Sequence, residues 1–141
     1  MKRILTGDRP TGKLHLGHYV GTLSNRVALQ NKYEIFISIV DLHSLTDRLE
    51  NPEKVGQIKD NIRELVLDYL AVGINPDKTT ILLQSAIPEI TELFTILMSL
   101  VTIARAERLP ALKEKIRDQK IEHPTMGLLN YPLLMAADIL S

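Results

Sequence analysis

The sequence predicts an α/β protein in which helices flank a Rossmann-like parallel sheet. Short runs rich in β-branched residues alternate with longer helical patterns, in the order β-α-β-α-β-α. Strands that alternate with helices favour a parallel sheet with right-handed crossovers. The middle run, 33–40, is apolar almost throughout, as is typical of a strand covered on both faces. A chain of 141 residues has the size of one domain.

The elements are assigned from periodicity and from residues that begin or end helices. Buried strands are expected at 2–6, 33–40 and 79–84. Helices are expected at 16–30, from Pro52 to about Gly73, at 88–109 in one or two pieces, and from Pro132 to Leu140. The first of these should bury Leu16, Val20, Leu23 and Val27. Asn51 can cap the helix that begins at Pro52, and a proline suits the first position of a helix. The charged segment 110–124 should be a mobile loop or a short helix.

The composition excludes several classes of protein. Seventeen basic residues balance 17 acidic ones, so the bulk charge does not indicate a nucleic-acid-binding surface. The chain contains no cysteine, which excludes disulfides and cysteine-based metal sites. The apolar runs are too short for a signal peptide or a membrane span. We therefore expect a cytoplasmic protein that does not associate with membranes.

The segment 7–18, Gly-Asp-Arg-Pro-Thr-Gly-Lys-Leu-His-Leu-Gly-His, is the most informative part of the chain. It joins the first strand to a helix, whose unpaired first-turn N–H groups and dipole favour an anion. His15 and His18 share one helix face, so both imidazoles can reach one ligand. Gly17 has no Cβ, so a flat base can lie on the backbone. The segment thus predicts a nucleotide site, where Arg9 can pair with a phosphate or a carboxylate.

Polar residues also follow the other two strands. Open parallel sheets bind ligands beyond the carboxyl ends of the strands, where the strand order reverses. Asp41 and His43 follow the second strand and would point the same way if that strand continued. Gln84 and Ser85 follow the third strand. We expect His43 in the site, although it could also be a strand-end cap or a satisfied core histidine.

The last helix carries a stripe that suits a heteroaromatic ligand. Tyr131, Met135 and Asp138 are spaced i, i+4 and i+7 and so lie on one face. A ring, a thioether and a carboxylate can form the wall of a pocket for a flat N–H donor. Tyr131 and Met135 could equally be core residues. Asp138 among apolar neighbours needs a partner if it is buried.

Two further segments remain open in their interpretation. The helix 88–105 is apolar nearly all round, so it should be buried on more than one side. It could be a core helix or a subunit interface, and we favour the interface. The basic residues that follow it alternate with acidic ones, as on an ordinary solvated face. One of these lysines could reach a triphosphate if the segment folds over the site. The basic residues of this segment are Lys113, Lys115, Arg117 and Lys120.

Two segments resemble a known family. The segment 6–21 resembles the first signature of class I aminoacyl-tRNA synthetases, a His-hydrophobic-Gly-His motif. The segment 131–140, Tyr-Pro-Leu-Leu-Met-Ala-Ala-Asp-Ile-Leu, is similar to the amino-acid pocket helix of bacterial tryptophanyl-tRNA synthetases. The resemblance covers the whole chain. It implies that residues 1–141 are the N-terminal part of the nucleotide-binding catalytic domain, with a helical dimer-interface insertion at about 88–125. The second signature, Lys-Met-Ser-Lys-Ser, and an anticodon-binding domain are absent from this sequence, so the class I catalytic domain is incomplete.

The resemblance also implies ligands and residue roles. It implies activation of tryptophan by ATP with Mg²⁺, transfer to tRNA(Trp), a homodimer, and no dedicated metal site in the protein. The implied ATP site consists of Arg9, Pro10, Thr11, Gly17 and His18. The implied tryptophan site consists of Leu5, Gly7, His43, Tyr131, Met135 and Asp138, with Asp138 accepting the indole N–H. The implied catalytic groups are His15, His18 and Lys113. Without the second-signature lysines, these 141 residues should activate tryptophan weakly or not at all.

Three alternatives are kept. A tyrosyl-tRNA synthetase of the same subclass can share the His-Leu-Gly-His-Tyr segment, although Met-Ala-Ala-Asp-Ile favours tryptophan. A nucleotidyltransferase with a His-x-Gly-His motif is a second alternative, against which the Asp138 helix argues. A non-catalytic dimerisation module is the third, and it predicts no protection by ATP.

Overall fold

A computed structural model describes residues 2–46, 51–118 and 120–141 of the chain. Three parallel strands form one sheet within these residues, in the order β1 (Arg3–Asp8), β2 (Glu34–Ile39) and β3 (Thr79–Leu83). This confirms the expected Rossmann-like parallel sheet with flanking helices. The strand order does not reverse among these three strands. Any ligand site at this edge therefore lies at the strand ends and not at a reversal point between them.

The strand β2 supplies the fully buried strand residues of the main core, whereas β1 lies at an edge of the described sheet. Ile35, Ile37 and Ile39 of β2 are buried and form one cluster with residues of the covering helices. The expectation that β1 is buried is wrong, since its side chains are alternately exposed and half-buried and Leu5 is 45% exposed. The strand also continues through Gly7 and Asp8, which were expected in a loop.

The segment after β1 is not one continuous helix. It consists of α1 (Leu16–His18), a π-helical turn (Tyr19–Leu23) and α2 (Ser24–Leu29). A π-turn adds a residue and so rotates the apolar face of a helix. Leu23 is buried as expected, but Leu16 and Val20 are exposed, and the expectation that they face the core is wrong.

The chain turns into a helix directly after β2. The helix α3 (Asp41–Leu45) carries Asp41 and His43, so the condition under which they would point the same way, a strand that continues through them, is not met. The next expected helix occurs as α4 (Pro52–Gly56) and α5 (Ile58–Ala71). The expected cap is confirmed, because the Asn51 side chain accepts a hydrogen bond from the Lys54 N–H at 3.1 Å.

The second half of the chain is helical apart from β3. A 3₁₀ turn (Gln84–Ala86) leads into four helices, which are α6 (Pro88–Leu100), α7 (Ile103–Ala106), α8 (Pro110–Asp118) and α9 (Met126–Leu140). The segment 88–109 thus forms two pieces, and 110–124 contains a short helix, both among the expected options. The last helix begins at Met126 and not at Pro132, because Thr125 caps it by accepting from the Leu128 N–H at 3.1 Å.

One face of α6 packs on α9, and the other is open. Ile90 of α6 forms a buried cluster with Leu134 and Ala137 of α9. Ile96 and Leu100 point away from this cluster, and Leu100 is 73% exposed. The expectation that this helix is buried on more than one side is therefore wrong for the chain on its own. Across the described residues, we find no helix with the length and apolar character needed to cross a membrane.

Candidate active site

A cavity of about 640 Å³ lies beyond the carboxyl ends of β1 and β2. Its walls come from both strands, the loop after β1, and the helices α3, α8 and α9. It brings together all six residues implied for an amino-acid site, which are Leu5, Gly7, His43, Tyr131, Met135 and Asp138. Its other lining residues are Thr6, Arg9, Ser38, Val40, Thr46, Lys115 and Ile139. A cavity of this size suits a small aromatic ligand.

Asp138 is held at the wall of this cavity by two hydrogen bonds. Its side chain is 11% exposed, and its Oδ2 lies 3.0 Å from His43 Nε2. Its Oδ1 accepts a hydrogen bond from Gln84 Nε2 at 2.7 Å. Because a carboxylate oxygen accepts, the proton of His43 lies on Nε2 in this contact. Each oxygen keeps a further lone pair, so Asp138 can accept another hydrogen bond from a molecule in the cavity.

These contacts show how the strand ends build the site. His43 lies in the helix that follows β2, and Gln84 is the first residue after β3. The expectation that a buried Asp138 needs a partner is confirmed. The contact between Asp138 and Gln84 is not predictable from the sequence, because residue spacing gives no contact across 54 positions.

Tyr131 of α9 and a lysine of α8 contact each other in the lining of the larger cavity. Lys115 Nζ lies 4.9 Å from the centroid of the Tyr131 ring, within the range of a cation–π contact. Lys113 is exposed and lines neither cavity, whereas Lys115 lines the larger one. Residues two apart on a helix do not share a face. Burial raises the pKa of the Tyr131 hydroxyl, and the negative charge of Glu114 raises it further.

A second, polar cavity of about 270 Å³ adjoins the first. The two cavities share Gly7 and Arg9. The second also contains Thr11 and His18 of the implied nucleotide site, together with Asp8, Gly12, Lys13 and Leu14. Pro10 is buried in the same loop, and its carbonyl accepts from Asn61 Nδ2 at 3.3 Å. His15 and Gly17 lie outside this lining.

His15 and His18 cap the start of α1 with their own rings. The His15 Nδ1 accepts from the Gly17 N–H at 3.1 Å, and the His18 Nδ1 accepts from the His15 N–H at 3.2 Å. The expectation of unpaired amides is therefore wrong at Gly17. The ring centroids are 4.0 Å apart, so the two imidazoles do share one side of the helix. Because both Nδ1 atoms accept, the neutral rings carry their protons on Nε2 and present two N–H donors.

Packing against His15 gives a second explanation for a glycine at position 17, besides the expected contact with a flat base. A Cβ on Gly17 would lie 2.9 Å from His15 Cε1, so the His15 ring occupies the space that a side chain would need. The surface on which a flat base was expected is thus partly covered by the imidazole.

We expect Gly17→Ala to displace the His15 ring and to destabilise the chain by about 1 kcal/mol, the typical value of a helix cap. Nitrogen chemical shifts of the imidazoles should show the loss of the Nδ1 hydrogen bond. Gly21→Ala is the matched control, because its Cβ would meet nothing within 4 Å. Equal stability changes in the two variants would contradict the role of the ring.

A largely buried ionic network that the sequence does not predict lies at the end of β1, where Asp8 lines the smaller cavity. Both Nη atoms of Arg26 donate to the carboxylate of Asp8, and the Tyr69 hydroxyl donates to its Oδ2 at 2.6 Å. Arg26 is 7% exposed and Tyr69 is fully buried. The network ties the end of β1 to α2 and α5. The only sequence signal is that Asp8 falls between Gly7 and Arg9, which were both singled out.

The network shifts the pKa values of its members. Burial by itself raises the pKa of Asp8, but the hydrogen bonds from Arg26 and Tyr69 and the positive charge of Arg26 outweigh it, and the pKa is lowered. Burial raises the pKa of Tyr69, and its hydrogen bond to Asp8 raises it further. For Arg26, burial lowers the pKa, but the contacts with Asp8 outweigh it and the pKa is raised.

These shifts predict how stability changes with pH. The contribution of Asp8 is present above its ordinary pKa of 3.8 and is lost as the pH falls through the lower folded value. The contribution of Tyr69 is present below its ordinary pKa of 10.0 and is lost as the pH rises through the higher folded value. The free energy of unfolding, measured with urea, should be constant between these two pH limits and should fall on both sides of them. Tyr69→Phe should lower the plateau and flatten the alkaline loss, and an unchanged alkaline slope in this variant would contradict the assignment.

The fold and the two cavities define the class of this protein as a Rossmann-like α/β domain with adjoining ligand sites at its strand ends. The family model described as "tRNA synthetases class I (W and Y)" matches residues 1–141. The chain therefore belongs to the class I tRNA synthetases of the tryptophan and tyrosine family.

Individual relatives agree with this family. The chain is 53% identical over 142 residues to the tryptophan–tRNA ligase of Borreliella burgdorferi, covering 99% of this chain and 40% of that protein. It is 55% identical over 139 residues to the enzyme of that name from Clostridium longisporum, covering 96% and 40%. The crystal structure of tryptophanyl-tRNA synthetase from Campylobacter jejuni complexed with ADP and tryptophan superposes with a TM-score of 0.84 at 36% identity, covering 97% of this chain and 41% of that one. The chain thus spans about 40% of the length of these curated relatives.

Proposed function

We propose that this chain forms the tryptophan- and ATP-binding part of a tryptophan–tRNA ligase. The observation that carries the proposal is Asp138, which His43 and Gln84 hold at the wall of a cavity large enough for an indole. Relatives named tryptophan–tRNA ligase at 50–55% identity support this substrate over tyrosine. The solved relative holds ADP and tryptophan, which supports both ligands.

In the larger cavity, the indole N–H of tryptophan would donate to Asp138. Leu5, Tyr131 and Met135 would contact the ring, and His43 would complete the polar side. Gly7 would leave room where the two cavities meet. Arg9 lines both cavities, so its guanidinium suits the tryptophan carboxylate or the α-phosphate of ATP.

In the smaller cavity, Arg9, Thr11 and His18 would contact ATP, and Pro10 would shape the loop. Gly17 supports the position of His15. The Nε2–H groups of His15 and His18 would donate to phosphate oxygens, and Mg²⁺ would enter with the nucleotide. Activation would be an in-line attack of the tryptophan carboxylate oxygen on the α-phosphorus, with release of pyrophosphate. This needs no protein nucleophile, because the protein aligns the reactants and stabilises the charge on the phosphorus and leaving group.

Titration of the chain with ligands tests the proposal. We expect tryptophan and ATP to raise the melting temperature, because a ligand that binds only the folded state stabilises it. Tyrosine at the same concentration should have little effect. A larger shift with tyrosine would favour the tyrosyl alternative, and no shift with tryptophan or ATP would overturn the proposal.

The structure favours Lys115 over Lys113 as the lysine that approaches the ligands. We expect Lys115→Ala to weaken tryptophan binding by about two- to fivefold, from the loss of a cation at the wall of the larger cavity. Lys113→Ala is the matched control on the same helix and should leave this affinity unchanged. Isothermal titration calorimetry measures the effect, and a larger loss in the Lys113 variant would reverse the assignment.

For the whole protein we propose a cytoplasmic homodimer that charges tRNA(Trp). The open face of α6 and α7, which includes Ile96, Leu100 and Ile103, supports self-association. Sedimentation should show a dimer that Leu100→Glu converts to a monomer. A monomeric wild-type chain would contradict the use of this face.

A further inference from the structure

Gln84 is a polar side chain that is sealed off from the cavity. It is 0% exposed and is not among the residues that line either cavity. Its Nε2 donates to Asp138 Oδ1, while its Oε1 has no hydrogen-bond partner among the described residues. A buried amide with an unpaired oxygen costs free energy, and an apolar side chain of similar size would avoid this cost. We therefore expect the paired Nε2 group, which donates to Asp138, to be the part of the Gln84 side chain that has a role.

The backbone around Gln84 is fixed in place. The Ser85 N–H donates to Asp41 Oδ1 at 3.0 Å, which ties the 3₁₀ turn to α3. The Ile87 N–H donates to the carbonyl oxygen of Gln84 at 3.1 Å and closes the turn. The amide of Gln84 is thus presented to Asp138 from a braced segment at the end of β3.

We propose that Gln84 is a positioning residue for recognition of the indole N–H, an inference that rests on the proposed function. The terminal torsion of an aspartate is broad, so one hydrogen bond leaves its carboxylate free to rotate. His43 holds Oδ2 and Gln84 holds Oδ1, and together they fix the plane of the carboxylate. The remaining lone pairs then face the cavity that Asp138 lines. Gln84 acts through Asp138 and does not touch the ligand.

The test compares two ligands that differ in the recognised group. They are tryptophan and 3-(benzothiophen-3-yl)alanine, in which sulfur replaces the indole N–H. The wild-type chain should bind tryptophan about tenfold more tightly or better, because the analogue cannot donate to Asp138. Gln84→Met has a similar shape and no donor. In this variant the ratio of the two dissociation constants should fall to near one, mainly through weaker tryptophan binding.

A merely structural role for Gln84 gives a different result. It would weaken both ligands by the same factor and preserve the ratio, which would overturn the inference. Gln84→Leu provides a second donor-free variant if Gln84→Met does not fold by circular dichroism. Thr79→Val is the control, because Thr79 is a buried residue of β3, the strand that leads to Gln84, and its Oγ1 has no partner among the described residues. This control should keep the wild-type ratio.

The experiment also separates this inference from the proposal on which it rests. If the wild-type chain binds neither tryptophan nor the analogue, the proposed function fails, and the inference fails with it. If the wild-type chain prefers tryptophan and both Gln84 variants keep that preference, the role of Gln84 alone is wrong.

Discussion

Arg26→Met should lower the free energy of unfolding by about 3–5 kcal/mol, because it leaves a largely buried carboxylate without its cation. Arg26 donates to both oxygens of Asp8, and without it the Tyr69 hydroxyl is the remaining side-chain donor to this carboxylate among the described residues. Urea unfolding followed by circular dichroism at neutral pH gives the free energy. The end of β1, where the two cavities meet, should be the region that loses order.

Two further variants make this prediction specific. Arg3→Met removes an arginine from an exposed ion pair with Glu34 and should change stability little, because such pairs are well solvated. Adding Asp8→Asn to Arg26→Met removes the uncompensated charge and should recover part of the loss. If Arg3→Met and Arg26→Met cost the same, the buried network does not stabilise the fold as the structure indicates.

The second large effect is expected for Asp138→Asn, which should weaken tryptophan binding by roughly 2–4 kcal/mol, or about 30- to 700-fold. An amide has one oxygen acceptor, whereas Asp138 accepts from His43 and Gln84 with different oxygens. One of these donors would face the new NH₂ group, and the carboxylate charge that strengthens the indole contact would be lost. Calorimetric titration of tryptophan into the two proteins measures the change.

Asp118→Asn is the control for the loss of one carboxylate. Asp118 is exposed and pairs with its exposed neighbour Arg117, so the affinity of this variant for tryptophan should equal that of the wild type. ATP binding should survive in the Asp138 variant, since the smaller cavity does not include this residue. Tryptophan binding that is unchanged by Asp138→Asn would contradict the placement of the indole.

The sheet and much of the larger cavity could be predicted because they depend on local signals. Alternating strands and helices give a parallel sheet, and a parallel sheet places residues after different strands at one edge. His43 was expected in a site because it follows a strand, the family resemblance placed Asp138 beside it, and the cavity contains both. The acid on an apolar helix was also expected to have a partner, because an unpaired buried charge is costly.

The parts that were missed depend on contacts between distant residues or on small changes of helical phase. The π-turn at 19–23 changes the helical phase, so that Leu16 and Val20 are exposed. No residue type in this stretch predicts a π-turn. Lys113 and Lys115 cannot be told apart until α8 is placed against Tyr131. The joining of Asp8, Arg26 and Tyr69 requires three elements to meet, and the separation between Asp8 and Tyr69 is 61 residues.

Gly7 gives the shared boundary of the two cavities a particular property. It has no side chain, and a Cβ there would lie 3.2 Å from both Ser38 O and Val40 Cγ1. Two molecules seated on either side would thus face each other across bare main chain, with only the guanidinium of Arg9 beside them. Ligands bound in the two cavities would therefore meet at this boundary. A side chain at position 7 would press on Ser38 and Val40 in the wall of the larger cavity and would disturb the boundary that the two cavities share.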